Sequence, residues 1–193
     1  IDYSSDEITT PEAHELIKAI AEKLDNEEYQ FFPGFSYRHV LVRRKGKLTY
    51  QLTPPHSISG RKVTDYLPKG ENSDIILDFM KKSVEILKDH PANTARIEKG
   101  LRPATSIWVW GEGSKAVLPT FESMRGIKGG VVSAVDLIKG IAISAKLESV
   151  DVEGATGNIH TNFEGKAQAS IDLLKRNDFV YIHVEAADEC GHR

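Results

Sequence analysis

The chain has 193 residues, 40% hydrophobic and 27% charged, with a formal net charge of −3; this composition can bury a core and suits one large domain or two small ones. Acidic and basic residues are interspersed, which excludes a basic nucleic-acid-binding stripe and an acidic disordered tail. No apolar run reaches the roughly 20 residues of a membrane helix, no signal peptide opens the chain, and Cys190 is the single cysteine. No intrachain disulfide can form, so a reducing, cytoplasmic location is expected. The sequence starts at Ile1 and ends at Arg193 directly after Gly191-His192, and it reads as a segment of a longer protein.

Thr9-Thr10-Pro11-Glu12 is a helix start: a hydroxyl cap, proline in the first turn and an early carboxylate. Ala13, Leu16, Ile17, Ile20, Ala21 and Leu24 follow at helical spacing. Tyr29 to Phe32 and Tyr37 to Arg44 read as strands interrupted by Pro33-Gly34. Lys45-Gly46-Lys47 reads as a hairpin loop leading into a strand from Leu48 to Leu52. Pro54-Pro55 makes Thr53 to Gly60 a loop. Asn72 or Ser73 caps a second helix, with Ile76, Phe79, Met80, Val84 and Leu87 facing inward, stopped by Pro91. A short helix follows near Ala92 to Lys99.

Beyond Pro103 the pattern changes, and a domain boundary is expected near residue 104. Ser106 to Trp110 reads as a strand. Then come a strand at Gly130 to Ser133, a helix from about Ala134 to Lys146, a strand at Ser149 to Glu153, a helix at Asn162 to Arg176 and a strand at Phe179 to Val184. The second of these helices would carry Phe163, Ala167, Ile171 and Leu174 on one side. Alternating strands and helices predict a parallel sheet with helices on its faces. The expected fold class is α/β: residues 104–193 as part of a parallel-sheet domain, and residues 1–103 as a smaller α+β domain.

In such sheets ligands bind beyond the carboxyl ends of the strands. The last strand runs directly into Glu185-Ala186-Ala187-Asp188-Glu189-Cys190-Gly191-His192. On a helical turn, Asp188 and His192 share one face. A carboxylate and an imidazole suit a borderline cation such as Mn²⁺ or Zn²⁺, and further ligands must come from elsewhere. The plainer alternative is that Asp188 caps the turn and His192 is a surface residue.

Several segments, in order, look like signatures of one family: Tyr37-Arg38-His39, Thr53-Pro54-Pro55-His56, Asp89-His90-Pro91-Ala92-Asn93, Ser106-Ile107-Trp108-Val109-Trp110-Gly111, Val132-Ser133-Ala134-Val135-Asp136, Gly154-Ala155-Thr156-Gly157, and His183 through His192. Together they resemble the archaeal-type cofactor-independent phosphoglycerate mutases of the alkaline-phosphatase-like metalloenzymes. The resemblance implies a phosphatase-like α/β domain with a second domain inserted in it. It implies two divalent ions, Mn²⁺ first among Mn²⁺, Zn²⁺, Mg²⁺ and Co²⁺, flanking a serine that carries the phosphoryl group between the two hydroxyls of glycerate. Asp188 and His192 inherit a metal-ligand role. The serine is expected outside this sequence, so no catalytic nucleophile is assigned here and residues 1–193 alone are expected to be inactive. The substrate is a small phosphorylated molecule; no nucleic-acid or membrane partner is implied, and the oligomeric state is left open.

Four residues are candidates for the substrate. Arg38 could clamp a phosphate or carboxylate, or snorkel from a strand edge; His39 would point to the opposite strand face. His56 sits in a rigid proline loop, facing ligand or solvent. Lys166 could face phosphate or be a solvated helix residue. Trp108 and Trp110 suit core packing. Gly154 to Gly157 could offer N–H groups to an anion or form a tight turn. His183 and Glu185 could support the metal ligands, with a core role as the alternative for His183, and Cys190 suits a small buried position. One departure stands out. Family members commonly carry Asp-Tyr-Ser-Ala-Gly-His-Ile, whereas this chain has Asp2-Tyr3-Ser4-Ser5-Asp6-Glu7-Ile8. Acidic residues there would repel a phosphate, which leaves a homoserine-kinase-like phosphotransferase, or a non-catalytic relative, as alternative readings.

Overall fold

Thr9 opens the first helix, α1 (Thr10–Leu24), with a reciprocal cap: the Glu12 carboxylate accepts from the Thr9 N–H at 3.1 Å and from its hydroxyl at 2.7 Å. This satisfies a donor that the helix ladder leaves over. The computed structural model describes residues 1–47 and 49–191, which fall into two units, Ile1–Ser114 and Lys115–Arg193.

In the first unit the α1 stripe Ala13, Leu16, Ile17, Ile20 and Leu24 is buried. It packs with Tyr29 and Phe31 of strand β1 (Tyr29–Pro33) and with helix α2 (Ser73–Lys88) into one apolar core. Burying each large aliphatic side chain contributes about 1.5–3 kcal/mol. Asp25, just past α1, accepts from the Phe31 N–H at 2.8 Å and so ties helix end to strand. β1 pairs antiparallel with β2 (His39–Arg43), Tyr29 opposite Arg43 and Pro33 opposite His39.

The expected hairpin after β2 does not form. Arg43 donates to the Lys47 carbonyl at 3.3 Å, and its guanidinium fills the space over Gly46, whose φ is +142°. The loop therefore folds onto a side chain instead of a strand backbone. The expected next strand is reduced to β3 (Tyr50–Gln51), paired with β4 (Lys69–Gly70); Leu48, its expected start, lies outside the described residues.

α2 buries Ile76, Phe79, Met80, Ser83 and Leu87. Val84, expected inside, is 41% exposed, and Ser83 takes that face. The reason lies in residues 104–110, which form no strand. Asn93, in helix α3 (Pro91–Glu98), donates to the carbonyls of Leu87 and Ala104 at 2.8 Å each and accepts from the Ala104 N–H at 2.9 Å. The Ser83 hydroxyl accepts from the Ile107 N–H at 3.0 Å. Side-chain amide and hydroxyl thus replace a neighbouring strand, satisfying buried backbone groups that would otherwise be costly. Ile107, Trp108 and Val109 pack against the first unit's core, which is why this unit runs to Ser114 and past the expected boundary near 104.

The second unit contains helix α4 (Phe121–Arg125), strand β5 (Gly129–Val132), helix α5 (Asp136–Ser144), strand β6 (Glu148–Val150), helix α6 (Phe163–Leu174), strand β7 (Phe179–Ile182) and helix α7 (Ala186–Gly191). The strands form a parallel sheet in the order β6-β5-β7, with Val132 opposite Val150 on one side and Ile182 on the other. α5 packs on β5 and β6, and α6 on β5 and β7. The expected apolar side of α6 is not the buried one. Lys166, Ser170 and Leu173 are buried, while Phe163, Ile171 and Leu174 are about half exposed. Gly130 makes room for this face: a Cβ there would sit 3.0 Å from Leu173, so the helix turns Leu173, and with it Ser170 and Lys166, toward the sheet. Among the described residues no helix is long and apolar enough to cross a membrane.

Candidate metal-binding rim of the parallel sheet

All three parallel strands end on the side where β5 passes into Ser133, β6 into residues 151–162 and β7 into His183. Parallel pairing in register forces this, and it gathers polar residues from three loops at one edge. The His183 N–H donates to the Val132 carbonyl at 2.8 Å, carrying the ladder one step beyond β7. Ser133 is buried; its hydroxyl accepts from the Val135 N–H at 3.0 Å and lies 3.5 Å from His183 Nδ1.

The loop after β6 is a tight turn braced by its own polar side chains. The Ala155 N–H donates to the Val152 carbonyl at 3.0 Å and the Thr156 N–H to Thr161 Oγ1 at 2.8 Å. These N–H groups are spent within the loop and do not form an anion cradle. Asn162 caps α6, accepting from the Gly165 N–H at 2.8 Å and donating to the Glu153 carbonyl at 2.9 Å.

Lys166 is 2% exposed, so it is not a solvated helix residue. Its ammonium donates to the carbonyls of Thr156 at 3.4 Å and His183 at 3.3 Å. Burial pushes its pKa below the ordinary lysine value, and the Glu185 carboxylate opposes that shift. Glu185 Oε2 lies over Gly157, where a Cβ would come within 2.9 Å of it. Asp188 is exposed on α7, one turn past the sheet edge, its N–H donating to the Glu185 carbonyl at 3.0 Å. His192 lies outside the described residues, as do the side chains of Glu189 and Cys190. Among the described residues no group of three His, Cys, Asp or Glu side chains could hold a metal ion. The Asp188 carboxylate, an exposed oxygen donor at a sheet's carboxyl edge, fits one position in the shell of a divalent cation.

The other candidates lie in the first unit. Arg38 is exposed just before β2, its guanidinium 4.4 Å above the Tyr37 ring, which meets Tyr3 edge-on at 5.5 Å. His39 starts β2 with Nδ1 accepting from the Gly34 N–H at 3.2 Å, while His14 Nε2 lies 2.8 Å from the Gly34 carbonyl. Burial, with His14 adding to it, pushes the His39 pKa from 6.5 down to about 4, so the ring is neutral at neutral pH. His56 is exposed in a 3₁₀ turn (Pro55–Ile58), edge-on to Trp110 at 5.3 Å. Trp108 packs on the core and donates to the Thr53 carbonyl at 2.8 Å; Trp110 is largely exposed.

Two features escaped the sequence reading. Ser5, Asp6 and Glu7 have φ of 48°, 58° and 56°, a left-handed run costly for three consecutive L-residues. Asp2 holds it, accepting from the N–H groups of Ser4 and Asp6 at 3.1 Å each. Burial works against ionisation of Asp2, but these bonds and Arg102 hold its carboxyl below the ordinary range. Arg96, 1% exposed, closes the turn by donating to the Ser5 and Asp6 carbonyls and pairing with Glu12 at 2.8 Å. Asp6 accepts from the Arg102 N–H at 3.3 Å. An aspartate that could cap the turn was the available signal.

Residues 57–193 match the metalloenzyme superfamily. The chain belongs to that superfamily. Residues 1–93 match the 2,3-bisphosphoglycerate-independent phosphoglycerate mutase family. Among curated relatives, the 2,3-bisphosphoglycerate-independent phosphoglycerate mutase of Methanosarcina barkeri is 48% identical over 193 residues, covering 99% of this chain and 48% of that protein. The enzyme of the same name from Methanosarcina mazei is 46% identical over 193 residues, with the same two coverages. A solved structure of a Pyrococcus horikoshii protein, 24% identical, superposes with a TM-score of 0.69 over 100% of this chain and 46% of that one, which shows a shared fold. The chain thus spans about half the length of these relatives, and membership of the superfamily carries divalent-metal chemistry with it.

Proposed function

We propose that this chain serves in a metal-dependent phosphoglycerate mutase that interconverts 2- and 3-phosphoglycerate through a phosphoserine. The observation that carries the reading is the similarity of essentially the whole chain, at 48% identity, to a relative of that name. The first unit, Ile1–Ser114, acts as the inserted α+β domain and the second, Lys115–Arg193, as part of the phosphatase-like α/β domain. The single cysteine suits a cytoplasmic setting.

Two divalent ions, Mn²⁺ by preference, would neutralise the phosphate, lower the serine hydroxyl pKa and align nucleophile with phosphorus. Asp188 and His192 would hold one of them. Of this chain's residues, Asp188 presents its carboxylate at the sheet edge, and Arg38, stacked on Tyr37, offers a planar fork suited to phosphate or carboxylate. His56 faces the substrate as well. His39 contributes through the turn it bonds at Gly34. Lys166 secures the loops around Asp188. The Asp6 carboxylate accepts from the Arg102 N–H; Glu7, the second acid of the departure, is what keeps the homoserine-kinase-like phosphotransferase as the alternative reading.

An assay of the intact protein decides. We expect conversion of 3- to 2-phosphoglycerate that depends on Mn²⁺, and no turnover by residues 1–193 alone. ATP-dependent phosphorylation of homoserine without mutase turnover would contradict the proposal.

A further inference from the structure

Lys166 places a charged group where an aliphatic side chain would fill the same space without the penalty of desolvation. The two carbonyls it contacts lie beyond the last paired residues of their strands, Val150 and Ile182, where no sheet partner serves them. One carbonyl belongs to the loop after β6 and the other to the turn after β7. The Glu185 side chain also occupies the space over Gly157 that a Cβ there would fill. From His183 the turn continues to Glu185, whose carbonyl accepts the Asp188 N–H at 3.0 Å. A chain of contacts therefore runs from Thr156 through the Lys166 ammonium and His183 to the turn that carries Asp188.

We infer that Lys166 is a positioning residue whose ammonium clamps the loop after β6 to the turn after β7 and so fixes where Asp188 is presented. The clamp follows from the geometry; its consequence for metal binding rests on Asp188 being a ligand. A two-pronged cation accounts for the otherwise unsuitable choice of lysine on the buried face of α6, and the carbonyls are held in one arrangement because both bonds come from a single nitrogen.

Amide hydrogen exchange on the chain tests this. In Lys166→Met, exchange should quicken about tenfold or more at residues 154–161 and 183–188 and remain unchanged in β5, as expected of a local opening. Lys166→Arg, which restores a cation, should recover part of the protection. Unchanged exchange in both loops of Lys166→Met overturns the inference. Should that variant not fold, nitrogen NMR of the wild-type chain at about pH 7 decides. A slowly exchanging Lys166 ammonium signal supports the clamp, and one that exchanges as fast as surface lysines overturns it. A Mn²⁺ titration of the intact protein, wild type and Lys166→Met, separates the two claims. Loops that loosen in Lys166→Met, in an intact protein whose Asp188 signals ignore Mn²⁺, support the clamp and remove the ligand reading instead.

Discussion

Helices α1 and α6 solve the same packing problem in opposite ways. α1 buries an unbroken apolar stripe, from Ala13 to Leu24. α6 buries Lys166 and Ser170 and leaves Phe163, Ile171 and Leu174 half exposed. Around α1 the first unit packs an apolar core, and beside that core it buries Ser83, Asn93 and Arg96, which bond backbone groups. The second buries Ser133, Thr161 and Lys166 around the carboxyl edge of its sheet, with Ser170 one turn further along α6. Buried polar groups cost free energy unless every one is bonded, so a fold that gathers them at one edge gains position there, which is what the proposed ligand turn at Asp188 would need.

The sharpest way to break this contrast is to shorten matched side chains in the two helices. Ile20→Ala, in a fully buried site, should destabilise the first unit by about 2–5 kcal/mol, whereas Ile171→Ala, 54% exposed, should cost less than about 1 kcal/mol. Urea unfolding checks both, and equal losses would mean that the exposed face of α6 is covered in solution.

Acid should act next most strongly, on the first unit. The folded His39 pKa of about 4 lies below its ordinary 6.5. Above 6.5 its contribution to stability is complete. As pH falls through 6.5, the unfolded chain takes up a proton that the folded ring refuses, and stability is lost until about pH 4. The loss amounts to about 3 kcal/mol. His39→Gln should flatten that part of a stability profile followed by circular dichroism.

Smallest is the left-handed turn. Ser5→Gly removes the penalty of its φ of 48° and keeps the carbonyl that Arg96 grips. A gain of about 0.5–1 kcal/mol is expected in thermal unfolding, and a loss would mean that the turn owes its shape to the serine side chain.

The elements legible in the sequence were those with a local cause. The cap at Thr9, the stripe of α1, the proline that stops α2 and the alternation of β5, α5, β6, α6 and β7 all act within a few residues. Long-range satisfaction of backbone groups was not legible. Residues 106–110 alternate like a strand, yet the Ile107 N–H bonds the Ser83 side chain, and Ala104 just before them bonds that of Asn93. β3 finds β4 across a gap of seventeen residues that no turn motif announces. The face of α6 was misread because a glycine on a different element, Gly130, decides which side comes close. For the site, the position of Asp188 at a strand's carboxyl end could be read directly, whereas the burial of Lys166 could not, because a lysine in an amphipathic pattern reads as solvent-facing.

The most direct test of the metal assignment is anomalous diffraction at the manganese edge from crystals of the intact protein grown with Mn²⁺. The account expects an anomalous peak in coordinating contact with the carboxylate of Asp188 and the ring of His192, absent in Asp188→Ala. A peak bound elsewhere, with the Asp188 carboxylate making no contact to it, would contradict the account.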